Sequence, residues 1–101
     1  MITTLHPEEV HRRVSDGDGR KILVFAGRAD LRRKLMQQLL ERLESDAIQI
    51  PIYILSEDSE ELKKRFNVII MPSLILLEGN REIGRIAGPF DRERFKRFTQ
   101  S

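Results

Sequence analysis

Apolar positions cluster unevenly along the chain, and their spacing predicts its elements. Lys21 to Ala26 contains the unbroken run Ile22-Leu23-Val24-Phe25, which reads as a strand buried on both faces. From Asp30 to Glu44, Leu31, Leu35, Met36, Leu39, Leu40 and Leu43 recur at helical spacing, with Arg32, Arg33, Gln37, Gln38, Glu41 and Arg42 mostly opposite. That pattern predicts the longest helix, its apolar stripe turned to the core. Gln49 to Leu55 reads as another strand, whose start Pro51 places at a sheet edge. Ser59-Glu60-Glu61 opens a short helix with Ser59 as N-cap, ending near Phe66.

Beyond Pro72 the run Leu74-Ile75-Leu76-Leu77 is a strand, Gly79-Asn80 a tight turn, and Glu82 to Ile86 the returning hairpin partner. Gly88-Pro89 interrupts the chain. Asp91 then caps a last helix that turns Phe95 and Phe98 inward, with Phe90 just before it. At the other end, Pro7 followed by Glu8-Glu9 suits a helix start, proline in the first turn and acids near the positive end. This helix runs to about Ser15 and stops at Asp16-Gly17-Asp18-Gly19, residues that tolerate positive φ. The order is helix, strand, helix, strand, helix, strand, strand, helix. It predicts one α/β domain over residues 1–101, a mixed sheet of four to five strands with helices on both faces.

Composition narrows the chemistry. The 101 residues are 40% hydrophobic and 34% charged, the balance of a globular chain with a well-charged surface. No apolar run approaches the ~20 residues of a membrane span, and Met1-Ile2-Thr3-Thr4-Leu5 lacks the features of a signal peptide, so the expectation is a cytoplasmic protein without membrane contact. The net charge is only +2, and the basic clusters are scattered among acids, as on solvated helix faces. No aromatic residues are interleaved with the basic ones to stack bases, and Tyr53 is the sole tyrosine, so nucleic acid is not an expected partner.

The chain contains no cysteine, which excludes disulfides, thiolate metal sites and thiol nucleophiles within it. Its two histidines, His6 and His11, are badly spaced for shared ligation and are expected at the surface. Asp16-Gly17-Asp18-Gly19 lacks the spaced acids and closing Glu of a calcium loop and reads as a turn. No catalytic residue, metal or cofactor is expected.

The segment from Phe66 to Asn80, Phe-Asn-Val-Ile-Ile-Met-Pro-Ser-Leu-Ile-Leu-Leu-Glu-Gly-Asn, resembles the region around the cis-proline of the thioredoxin-like superfamily. Gly88 stands at the family's spacing from Pro72, and Ile22-Leu23-Val24-Phe25 and the Lys34-Leu35-Met36 stretch also fit. The resemblance covers about Lys21 to Thr99, with Pro7 to Ser15 in place of the first helix. It implies a thioredoxin-like fold, a cis Met71–Pro72 bond, and a Met71 backbone open to an extended peptide. It also shows a departure. The family's paired cysteines fall at Asp30 and Arg33, with Leu31 and Arg32 between, and its buried acid is missing from Val24-Phe25-Ala26-Gly27. Redox catalysis is therefore not expected.

Asp30 reads as a helix N-cap. Arg28, Arg32 and Arg33 either bind an anion or acidic segment or form a charged, solvated rim. Met71 either lies exposed in a shallow apolar groove with Ala26-Gly27 and Ala87-Gly88, or packs inward as a flexible filler. The candidate partner-binding residues are thus Arg28, Asp30, Arg32, Arg33, Met71, Pro72 and Ser73. The resemblance implies a non-catalytic module that holds a protein or peptide, like the cysteine-free domains of disulfide isomerases and bacterial maturation factors. The alternatives are a small-ligand or glutathione-binding domain, with Ser73 the suggestive residue, or a purely structural domain that forms a homo-oligomer along the hairpin edge.

Overall fold

The computed structural model describes residues 2–15, 19–44 and 49–101. Five strands form one mixed sheet: β1 (Ile2–Leu5), β2 (Arg20–Phe25), β3 (Ile52–Leu55), β4 (Ser73–Glu78) and β5 (Arg81–Ala87), in the order β1-β3-β2-β4-β5. Strands β1, β3 and β2 run parallel, while β4 pairs antiparallel with both β2 and β5. The helices are α1 (Asp30–Glu44), α2 (Glu60–Arg65) and α3 (Arg92–Thr99).

Period-2 alternation divides the core into two layers. Ile22 and Val24 of β2, Ile52 and Ile54 of β3, and Leu74 and Leu76 of β4 face α1 and α3, meeting Leu40, Leu43, Phe95 and Phe98. Leu23, Phe25, Leu55, Ile75 and Leu77 face the other way, onto Val10, Val14, Leu62 and Val68. Strands β2 and β4 are thus covered on both faces, which is why their sequences are continuous apolar runs.

Local signals set the ends of the elements. The Ser59 side chain accepts the Leu62 N–H at 3.2 Å, and Asp91 accepts that of Arg94 at 2.8 Å. Gly79, with φ of +63°, turns the β4–β5 hairpin. A bulge places Leu77 opposite Glu82 although Leu76 faces Gly84.

Four expectations need correction. Ile2–Leu5 is a strand, the outer partner of β3; with four residues it shows too little alternation to announce itself. Pro51 marks no edge, because β3 lies between β1 and β2. The proline sits just outside the ladder, where its missing N–H is not needed, and its carbonyl accepts the Ile22 N–H at 2.9 Å. Pro7 to Ser15 is a 3₁₀ turn (Pro7–Glu9) followed by a wider π-type turn (His11–Ser15), not one α-helix. Finally, the α1 stripe is covered only in part: Leu40 and Leu43 are buried, but Leu31 and Leu35 are 66% and 54% exposed. The expected turn at Asp16-Gly17-Asp18 lies outside the described residues.

Candidate functional site

The residues expected at a site converge around the β2–α1 connection and the Met71–Pro72 turn. Gly27 has φ of +103°, a conformation that favours glycine. The connection is fastened by Arg33, whose Nη1 donates to the carbonyls of Gly27 at 3.1 Å and Arg28 at 2.9 Å, while Nη2 pairs with the Asp30 carboxylate. Asp30 is therefore not an N-cap. The Arg33 N–H already bonds the Ala29 carbonyl at 3.2 Å, so Asp30 lies inside the first turn of α1 with its carboxylate engaged by Arg33.

The opposite wall is the turn into β4. The Met71–Pro72 peptide is cis, and the Pro72 carbonyl accepts the Gly88 N–H at 2.8 Å, tying the turn to the end of β5. Ser73 is only 1% exposed, and its hydroxyl donates to the Ile70 carbonyl at 2.5 Å. Its side chain is spent inside the protein and offers nothing to a partner. Met71 combines both alternatives: it is half-buried against the layer that contains Phe25 and Val68, yet it lines the surface cleft. A β-carbon added at Gly27 would stand 3.9 Å from both Met71 Cβ and Arg32 Cδ, so glycine keeps the cleft open between them.

The cleft has a volume of about 450 Å³, with Arg28, Arg32, Asp58, Lys63 and Met71 among its lining. A second depression of about 380 Å³ adjoins it, sharing Lys63 and Met71 and reaching Ile69. Ile69, 87% exposed, forms an apolar lip on the second depression, and Ile70, next in the chain, is 52% exposed. Beside this lip the backbone is unpaired. Neither the N–H nor the C=O of Met71 enters a sheet ladder or another backbone hydrogen bond among the described residues.

Asp58 organises the charges. Its side chain is 13% exposed and accepts from Arg28 Nε and Lys63 Nζ, each at 3.0 Å. Burial disfavours its ionised form, but the two hydrogen bonds and the positive charges behind them prevail and hold the carboxyl below its ordinary range. Lys63 is raised by its hydrogen bonds to Glu60, at 2.8 Å, and to Asp58. Arg28 is raised by the hydrogen bond that it donates to Asp58 and by that carboxylate's charge, with Glu60 at 3.7 Å adding to it.

Arg28, Arg32 and Met71 thus meet at the groove, Asp30 and Arg33 brace the β2–α1 connection, Pro72 follows Met71 in the turn without lining the groove, and Ser73 is buried behind it. Sequence reasoning missed Asp58, Lys63, Ile69 and Ile70. For the isoleucines a signal existed: Val68-Ile69-Ile70-Met71 is an apolar run before a proline that fits no strand or helix. A larger depression, of about 540 Å³, lies between the end of α2 and the β4–β5 hairpin. There Arg85 binds Glu82, the Asn67 carbonyl and the Phe66 carbonyl. Among the described residues no group of three or more His, Asp or Glu could hold a metal ion, and no helix is long and apolar enough to cross a membrane.

Comparison with known proteins adds the architecture and no chemistry. No protein-family model and no curated protein sequence matches the chain. Among solved structures it is similar to a designed protein, at 17% identity and a TM-score of 0.77, over 97% of this chain and 88% of that one. The two share a fold. At that identity the likeness says nothing of ligand or reaction.

Proposed function

We propose that this chain is a non-catalytic, thioredoxin-like module that holds an extended segment of a partner protein along the groove between Gly27 and Ile69. The observation that carries the reading is the unpaired Met71 backbone beside an exposed apolar lip. An extended peptide can pair with that N–H and C=O as an added strand and lay apolar side chains on Ile69 and Ile70. The sheet order and the helices on both faces support the thioredoxin-like assignment. The absence of cysteine removes the thiol chemistry which that assignment would otherwise suggest.

An NMR titration with an unfolded, alkylated client protein tests the reading. The amide resonances of Ile70, Met71 and Gly88 should shift together, and Met71→Asp should abolish the shifts while leaving the rest of the spectrum folded. Shifts confined to other surfaces, or shifts indifferent to Met71→Asp, would refute it.

A further inference from the structure

We infer that the groove selects a segment carrying a carboxylate side chain beside an aliphatic one, and that Arg32 is the residue that recognises the acid. This rests on the peptide-holding reading above and adds the chemistry of the partner. The argument begins with which charges are already used. Arg28, Arg32 and Lys63 are the cations lining the cleft, and Asp58 is the carboxylate. Asp58 takes both Arg28 and Lys63 at 3.0 Å, and Glu60 reinforces them at 3.7 and 2.8 Å. Two acids therefore balance two bases. Arg33, one residue beyond Arg32, is tied to Asp30 and to backbone carbonyls. Arg32 is exposed and makes no ion pair or side-chain hydrogen bond among the described residues. It is the one guanidinium lining the cleft without an acidic partner among the described residues, a planar fork suited to a carboxylate, whereas Lys64 on the adjoining depression offers only an ammonium.

Distance sets which residue of the segment would meet it. Met71 Cβ and Arg32 Cδ each lie 3.9 Å from the point where a Gly27 side chain would begin, hence less than about 8 Å from each other. In an extended chain, residues two apart share a face and stand roughly 7 Å apart. A segment whose aliphatic side chain rests on Met71 can therefore reach Arg32 with an acid two positions away on the same face. A basic residue there would face an unbalanced positive charge.

The test is an immobilised array of randomised octapeptides, probed with the intact chain and with Arg32→Gln, Arg32→Glu and Met71→Asp, each first shown to fold by circular dichroism and urea titration. The intact chain should enrich sequences with Asp or Glu two positions from Ile, Leu or Val. Arg32→Gln should reduce that acid preference by up to about fivefold, the upper end for an exposed ion pair. Arg32→Glu should reverse it toward Lys and Arg, and Met71→Asp should remove binding altogether. Peptides enriched in a Met71-dependent way without acid preference, or with one that survives Arg32→Gln, would overturn the inference and leave the peptide-holding reading standing. No enrichment, or enrichment that ignores Met71→Asp, would overturn both.

Discussion

Replacing Asp58 by Asn keeps the shape of the side chain and removes the charge that joins the β2–α1 connection to α2. Removing one partner of a fully buried ion pair costs ~3–5 kcal/mol, mostly because the other charge is stranded. Neither cation is stranded here. Lys63, 19% exposed, keeps Glu60 at 2.8 Å, and Arg28 is 80% exposed and returns to water. What is lost is the charge of the mostly buried Asp58 carboxylate, with its charge-assisted bond to Lys63 and its surface pairing with Arg28. The variant should therefore be about 1.5 kcal/mol less stable near neutral pH, a fall in Tm of roughly 6–12 °C for a domain of this size. The loss should depend on pH. The folded carboxyl titrates below its ordinary value, so its contribution is complete above the unfolded value of ~3.9 and fades as pH falls through the lower, folded one. Urea titrations at about pH 7 and pH 2.5 should show a gap between wild type and Asp58→Asn that narrows in acid. An equal gap at both pH values, or none at neutral pH, would show that the charge network does not hold the wall of the groove.

Two further predictions concern packing and backbone. Leu40→Ala, at a position fully buried under the sheet, should cost ~2–5 kcal/mol in urea unfolding, whereas Leu35→Gln, at a half-exposed one, should change stability by no more than about 0.5 kcal/mol; similar losses for both would mean that the whole α1 stripe is covered. Gly88→Ala places a β-carbon at φ of +93°, where space is adequate because Ile70 Cγ2 lies 3.7 Å away, so a loss of about 1–3 kcal/mol should come from backbone conformation alone. Gly88→Asn should recover part of that loss in thermal melts, since Asn tolerates positive φ better than Ala; an Ala variant as stable as wild type would refute the assignment of strain.

What could be read from the sequence was what neighbouring residues decide. The caps at Ser59 and Asp91, the Gly79-Asn80 hairpin and the limits of α1 depend on residues within a turn of one another, and each was legible. Failures arose where distant segments decide. Leu31 and Leu35 share the helical spacing of Leu39 and Leu43, but whether a stripe is covered depends on where the sheet beneath it ends. Pro51 looks like an edge residue until β1, too short to recognise, pairs on the far side of β3. The site divides the same way. Arg28, Arg32 and Met71 could be proposed by resemblance, yet Asp58 is one more loop acid in the sequence, and its role exists only because Arg28, thirty positions away, folds against it.

The bonds made by Arg33 have a consequence for anyone wishing to give this molecule a reaction. Asp30→Cys with Arg33→Cys would write a cysteine pair into the start of α1, but it would also delete every bond by which Arg33 holds the carbonyls of Gly27 and Arg28. The installed thiols would sit on a connection that had lost its fastening, so the engineer would have to rebuild the support before the chemistry. At the start of α1 this chain has a rivet, and a cysteine pair cannot be installed there one residue at a time.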